Sequence, residues 1–194
     1  TQLFGLPFEL REAFALDATV VASEQGARDA LRADFSLGSA QGFVSGELSE
    51  AADFAGSVFS WGFDSPDIRS LAEAAGLAWR VPQPVAVRAS TVIDKDAIRV
   101  TGLDLQLADN TLAGSLTLER RAATGEFSGT LSGPNAAALL GPLLTDANAG
   151  RVPPLDYEAV VKGEFSGPRL GISGAKVRVG DSRFTLDGTV AAGQ

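Results

Sequence analysis

The 194-residue sequence contains no histidine, no cysteine and no methionine. Each absence removes a class of chemistry. Without His or Cys there is no zinc site of the usual kind, no thiol nucleophile and no imidazole base. Without Cys there is also no disulfide framework, so cysteine usage does not report the compartment. Long apolar runs are missing as well. No stretch approaches the roughly 20 residues that span a bilayer as a helix, and nothing resembles a signal peptide. The opening Thr1-Gln2-Leu3-Phe4 is already apolar sequence and reads as a cut from a longer polypeptide, with any membrane anchor in the part before it. Basic residues are few, sixteen against 24 acidic ones, for a net charge of −8. They are scattered, and Arg120-Arg121 is the one adjacent pair. This argues against a nucleic-acid partner, which needs clustered cations at phosphates. Strong electrostatic docking to anionic membranes is not expected for the same reason.

What is present is apolar substance in an alternating pattern. Apolar residues make up 45% and charged residues 21%, enough for a core and unlike a disordered chain. Val85, Val87, Ala89, Thr91 and Ile93 share one side of an extended segment, opposite Arg88 and Ser90. Leu103, Leu105 and Leu107 oppose Asp104 and Gln106; Leu112, Gly114, Leu116 and Leu118 oppose Ser115, Thr117 and Glu119. Tyr157, Ala159, Val161, Gly163 and Phe165 oppose Glu158, Lys162 and Glu164, and Phe184, Leu186, Gly188 and Val190 oppose Thr185, Asp187 and Thr189. Period two of this kind marks strands with one dry face, which suits an antiparallel sheet. Turn residues at 94–96, 109–110, 123–125 and 180–182 give connections of hairpin length, hence a meander.

Two segments depart from the alternation. Ser65-Pro66-Asp67-Ile68 opens with a cap and a first-turn proline, carries Ile68, Leu71 and Ala75 on one stripe, and stops at Gly76. A short helix is expected there, near Pro66–Ala75, and a second near Pro134–Leu140. Proline-marked restarts at Leu6-Pro7-Phe8, Pro82-Gln83-Pro84 and Pro153-Pro154 suggest an internal repeat with units 6–76, 82–143 and 153–194, the last one truncated. The late glycines Gly46, Gly114 and Gly188 are aligned as matching positions in this scheme.

These segments resemble one family in their order and spacing. Leu6-Pro7-Phe8-Glu9-Leu10 with Phe14-Ala15-Leu16-Asp17-Ala18 is similar to the opening of AsmA-like C-terminal regions. Leu37–Gly46 resembles the glycine-rich strand that follows, and Asp64-Ser65-Pro66-Asp67-Ile68 resembles the family's helix start. Leu105–Leu116 and Val179–Gly188 resemble its strand pairs. The resemblance is to the AsmA family, TamB-like proteins included, and covers nearly the whole chain. It implies a periplasmic protein held by one inner-membrane helix, here outside the sequence, with a bent antiparallel sheet forming an apolar groove. It further implies phospholipid movement in support of outer-membrane homeostasis or assembly.

The expectation is therefore a mainly β fold: a curved antiparallel meander of repeated strand groups forming a groove, with two short helices. As a function, a non-enzymatic lipid-binding segment without cofactors is expected. Leu103, Leu105, Leu107, Leu112, Leu116, Leu118, Phe184 and Leu186 are the candidate groove residues. Phospholipid acyl chains, remaining domains of the same larger chain and other envelope proteins are the expected partners. The alternative is a scaffolding β module that binds another protein by strand addition. Asp64, Asp67 and Glu73, or Asp94 and Asp96, have the residue type of paired catalytic carboxylates or calcium ligands. Turn and cap duty explains them better, and no His exists to activate the serines of Ser132-Gly133-Pro134 or Gly180-Asp181-Ser182. Trp61, Phe63 and Trp79 suit core packing, or else a groove mouth or a membrane interface.

Overall fold

Alternating segments of similar length, each closed by turn residues, pair with their neighbours as hairpins. The computed structural model describes residues 14–21, 28–69, 81–122, 124–140, 152–167 and 169–191. Eleven strands follow one another: β1 (Phe14–Val21), β2 (Arg28–Leu37), β3 (Ala40–Ser49), β4 (Val58–Ser65), β5 (Val85–Ile93), β6 (Ala97–Leu107), β7 (Asn110–Glu119), β8 (Thr124–Gly133), β9 (Tyr157–Ser166), β10 (Arg169–Val179) and β11 (Ser182–Ala191). All pair antiparallel in sequence order within one sheet, and β1 and β11 are its edges among the described residues. The sheet is an open meander rather than a closed barrel. One helix, α1 (Ala136–Leu140), follows β8, with Asn135 Oδ1 accepting from the Ala138 N–H at 3.1 Å. Of the other expected helix, Arg69 is helical and residues 70–76 lie outside the described residues, as do the restart at Leu6-Pro7-Phe8 and Trp79.

Strict period two would put Val100 and Leu103 on opposite faces. A register shift between them inserts Gly102, whose φ of 59° is left-handed, and both side chains stay on the same face. The same device recurs in β10, where Gly174 (φ 59°) lies in the shift between Ile172 and Ala175. Bulges of this type bend a sheet and increase its local twist, which curves the meander into a groove.

Several backbone features occur at matching places. The two-residue turns 38–39, 108–109 and 180–181 each begin with a left-handed residue: Gly38 (φ 57°), Ala108 (φ 51°) and Gly180 (φ 53°). The Ala108 N–H donates to the Pro84 carbonyl at 2.9 Å and the Gly180 N–H to the Asp156 carbonyl at 2.8 Å, in each case the residue before a strand. The Ile68 and Ala136 N–H groups, each three residues past the end of a strand, donate to the Gln83 and Leu155 carbonyls, both at 2.9 Å. Counting six residues from the start of the strand after each turn gives Gly46, Leu116 and Gly188. Gly46 and Gly188 therefore correspond, whereas Gly114 sits two residues earlier, level with Val44 and Leu186. The expected triple match of glycines is corrected to two, because the turns set the register and Gly114 was aligned by residue type alone.

Candidate functional site: the apolar face

Cross-strand register gathers one set of side chains onto a single face. Leu31, Ala33 and Phe35 of β2 stand beside Gly46, Val44 and Gly42 of β3, and these beside Phe59, Trp61 and Phe63 of β4. Val87, Ala89 and Thr91 continue the face in β5, Leu105 and Leu103 in β6, and Leu112 and Leu116 in β7. Phe127 and Leu131 of β8, Ala159 and Val161 of β9, Ile172 and Val177 of β10, and Phe184 and Leu186 of β11 complete it. All eight candidate groove residues therefore share one face, but they do not form one patch. Leu103, Leu105, Leu112, Leu116 and Leu118 are adjacent and half-buried on β6 and β7. Phe184 and Leu186 lie on the edge strand, 52% and 55% exposed, with β8, β9 and β10 between.

Leu107 belongs to a closed end instead. It is only 7% exposed, beside Val85 of β5 and Asn110 of β7. The buried Tyr157 hydroxyl donates to Asn110 Oδ1 at 2.8 Å, while Asn110 Nδ2 donates to the Leu107 carbonyl at 3.0 Å. Burial raises the Tyr157 pKa above its ordinary value. The buried Ala40, Val85, Ala136 and Tyr157 lie at this same end, where the crossings into β5 and β9 return.

Sequence reasoning missed how the face is levelled. Phe35 is in register with Gly42, Phe165 with Gly125, Phe127 with Gly163 and Tyr157 with Gly133. A Cβ at Gly42 would lie 2.2 Å from the Phe35 ring, and one at Gly163 would lie 2.6 Å from the Phe127 ring. The rings thus lie down over the glycines. Across Gly42, Phe35 stacks on Phe63 with centroids 6.3 Å apart. The available signal was the recurrence of glycine at apolar-face positions. Trp61 also lies on this face, its Nε1–H donating to Thr91 Oγ1 at 2.9 Å.

The opposite face is small, hydroxylated and charged. Ser115 and Ser128 (3.1 Å) and Thr111 and Ser132 (3.0 Å) bond across strands, and Arg88 meets Asp64 at 3.3 Å while lying 5.9 Å from the Phe43 ring centroid. A cleft of about 650 Å³ on this side is lined by Ser115, Glu126, Ser128, Lys162, Glu164 and Ser173. It is open to solvent, and its polar residues outnumber Phe127 and Ile172, which also line it. Of the other carboxylates weighed as catalytic, Asp67 binds Arg69 at 2.5 Å and Asp94 binds Arg99, while Asp96 is exposed in the turn before β6. The hydrogen bonds from Arg69 hold the Asp67 carboxyl below its ordinary pKa, so it is an ion-pair partner rather than a proton donor. Glu73 lies outside the described residues. Among the described residues no three acidic side chains converge as metal ligands would, and no helix is long and apolar enough to cross a membrane.

Comparison with protein-family models, with curated proteins and with solved structures gives no match for this chain.

Proposed function

We propose that the apolar face binds the acyl chains of phospholipids, and that the chain is a non-enzymatic lipid-binding or lipid-transfer segment of an AsmA-like periplasmic protein. One observation carries this reading. The apolar face runs across the whole sheet, and among the described residues no second layer of strands or helices packs over it. Moving an acyl chain through water costs about 0.8 kcal/mol per methylene. A trough of Leu, Val and Phe cancels that cost without specific polar contacts.

The test is native mass spectrometry of the purified chain, with co-purified phospholipid expected. Leu105→Asp with Leu116→Asp places two carboxylates where acyl chains would lie. The double variant is expected to lose binding of a fluorescent phospholipid while keeping its β circular dichroism. A wild type free of lipid, together with an unfolded double variant, would make the face an ordinary core. A second reading, a scaffolding module that binds proteins by strand addition, is favoured by β1 and β11 standing as sheet edges among the described residues.

A further inference from the structure

The two ends of the apolar face are built differently. At one, Leu107, Val85 and Tyr157 are buried where the crossings return, and the face is shut. At the other, beside the turn between β7 and β8, a hollow of about 410 Å³ opens on the same face. Its floor is Ile98, Leu118 and Phe165. Ile98 stands in register with Leu118, Leu118 with Gly125, and Gly125 with Phe165, whose ring lies over that glycine. The floor continues into Val100 and Leu116, two residues further along each strand, and so into the candidate groove. From Leu118 to Leu112, β7 covers about 20 Å. The rim of the hollow carries Glu119, Arg120 and Arg121. Arg120 is committed: its guanidinium donates to the Asp53 carbonyl at 2.6 Å and the Asp94 carbonyl at 2.9 Å, and meets the Asp53 carboxylate at 3.4 Å. Asp94 is itself held by Arg99. Glu119 alternates with Leu118 and belongs to the opposite face, where it lines a second cleft with Thr117 and Glu126. Lys95 and Asp96, exposed in the adjoining turn, offset each other in charge. Arg121 remains, exposed and without an ion-pair partner among the described residues.

We propose that this hollow seats the phosphate headgroup of a phospholipid, with the Arg121 guanidinium against the phosphate. The acyl chain then runs along Leu118, Leu116 and Leu112 toward the shut end. This rests on the lipid-binding reading and adds a headgroup site and an orientation to it. A lipid phosphate carries negative charge on oxygens that the guanidinium fork engages in pairs. Arg120 cannot do the same without giving up Asp53 and two carbonyls. The reverse orientation would press a charged phosphate against the buried Leu107, Val85 and Tyr157, at a desolvation cost that nothing there offsets. Apolar contact along β7 therefore supplies the affinity, and the rim sets which end of the lipid lies where.

The experiment titrates the whole chain with two probes that share the same short, fluorescent acyl chains: a phosphatidic acid and the matching diacylglycerol. Both should bind the wild type, the diacylglycerol through the trough alone. Arg121→Gln should weaken the phosphatidic acid by about two- to fivefold, the loss an exposed ion pair gives, and leave the diacylglycerol unchanged. Arg121→Lys should restore most of that loss. Arg183→Gln removes the same charge on the opposite face, where Arg183 stands in register with Arg178, and should alter neither probe. Inorganic phosphate, added at constant ionic strength, should not displace the phosphatidic acid; displacement would make the hollow a site for free phosphate and overturn the headgroup assignment. Equal losses for both probes, no loss for either, or the same loss with Arg183→Gln would each overturn it too, while the lipid reading stands. Failure of both probes to bind the wild type would overturn the two together.

Discussion

Ala108 occupies a left-handed turn position that glycine holds in the two corresponding turns, at Gly38 and Gly180. A Cβ in that conformation costs roughly 1–2 kcal/mol, against about 0.5–1 kcal/mol for the added freedom of glycine in the unfolded chain. Ala108→Gly is therefore expected to stabilise the protein by about 0.5–1 kcal/mol, seen as a higher urea midpoint with an unchanged slope. Tyr157 is the only tyrosine in the chain, and it is buried with its hydroxyl on Asn110. Its raised pKa means that the fold disfavours tyrosinate. The resulting stability is complete below the unfolded value of about 10 and is lost as pH rises through the higher folded value. Unfolding free energies measured at rising pH should fall only above about pH 10 on this account. Tyr157→Phe should flatten that limb while lowering neutral-pH stability by about 1–2 kcal/mol, since Asn110 Oδ1 loses its donor.

At the scale of the strands, the pairing of a ring with a glycine explains how strands of moderate hydrophobicity build a shallow, even floor. Gly42→Val should displace the Phe35 ring from its stack with Phe63 and cost about 1–3 kcal/mol in chemical denaturation. Gly171→Ala is the control, since its Cβ would meet nothing closer than the Glu164 Cγ at 3.4 Å, and it should change stability by less than about 0.5 kcal/mol. The strands themselves were legible because alternation and turn residues agree: Val85–Ile93, Leu112–Leu118 and Tyr157–Phe165 have the expected faces. Two things were not legible. The bulges at Gly102 and Gly174 shift the phase of alternation within a strand, and a glycine on its own does not say whether it marks a bulge, a bend or a ring above it. The fate of Leu107 depends on which strand ends the crossings cover, and the alternating pattern that put it on the dry side carries no such long-range information.

The molecule as a whole combines an acyl-compatible face with a charge that does nothing to hold it at an anionic surface. Its net charge is −8, and among the described residues seven arginines are held in ion pairs with aspartate or glutamate. If the face takes up phospholipid, encounter with a bilayer is governed by this overall charge while the bound state is governed by apolar contact. The two separate in their salt dependence. At about 0.01 M ionic strength the screening length is about 30 Å, so repulsion from an anionic vesicle is felt across the width of the protein; at about 0.15 M it is about 8 Å. Uptake of a fluorescent phospholipid from zwitterionic vesicles is therefore expected to be nearly independent of salt. From vesicles rich in anionic lipid it should be slower at low salt and recover as salt rises, with the amount bound at saturation unchanged. Stopped-flow dequenching measures both quantities. The opposite trend, fastest uptake from anionic vesicles at low salt, would mean that a local cationic patch outweighs the overall charge. Arg120-Arg121 is the one adjacent basic pair, and Arg120 is already engaged with Asp53 and the Asp94 carbonyl. In the fold Arg178 also stands opposite Arg183, so Arg121→Ala together with Arg183→Ala would then have to abolish the effect.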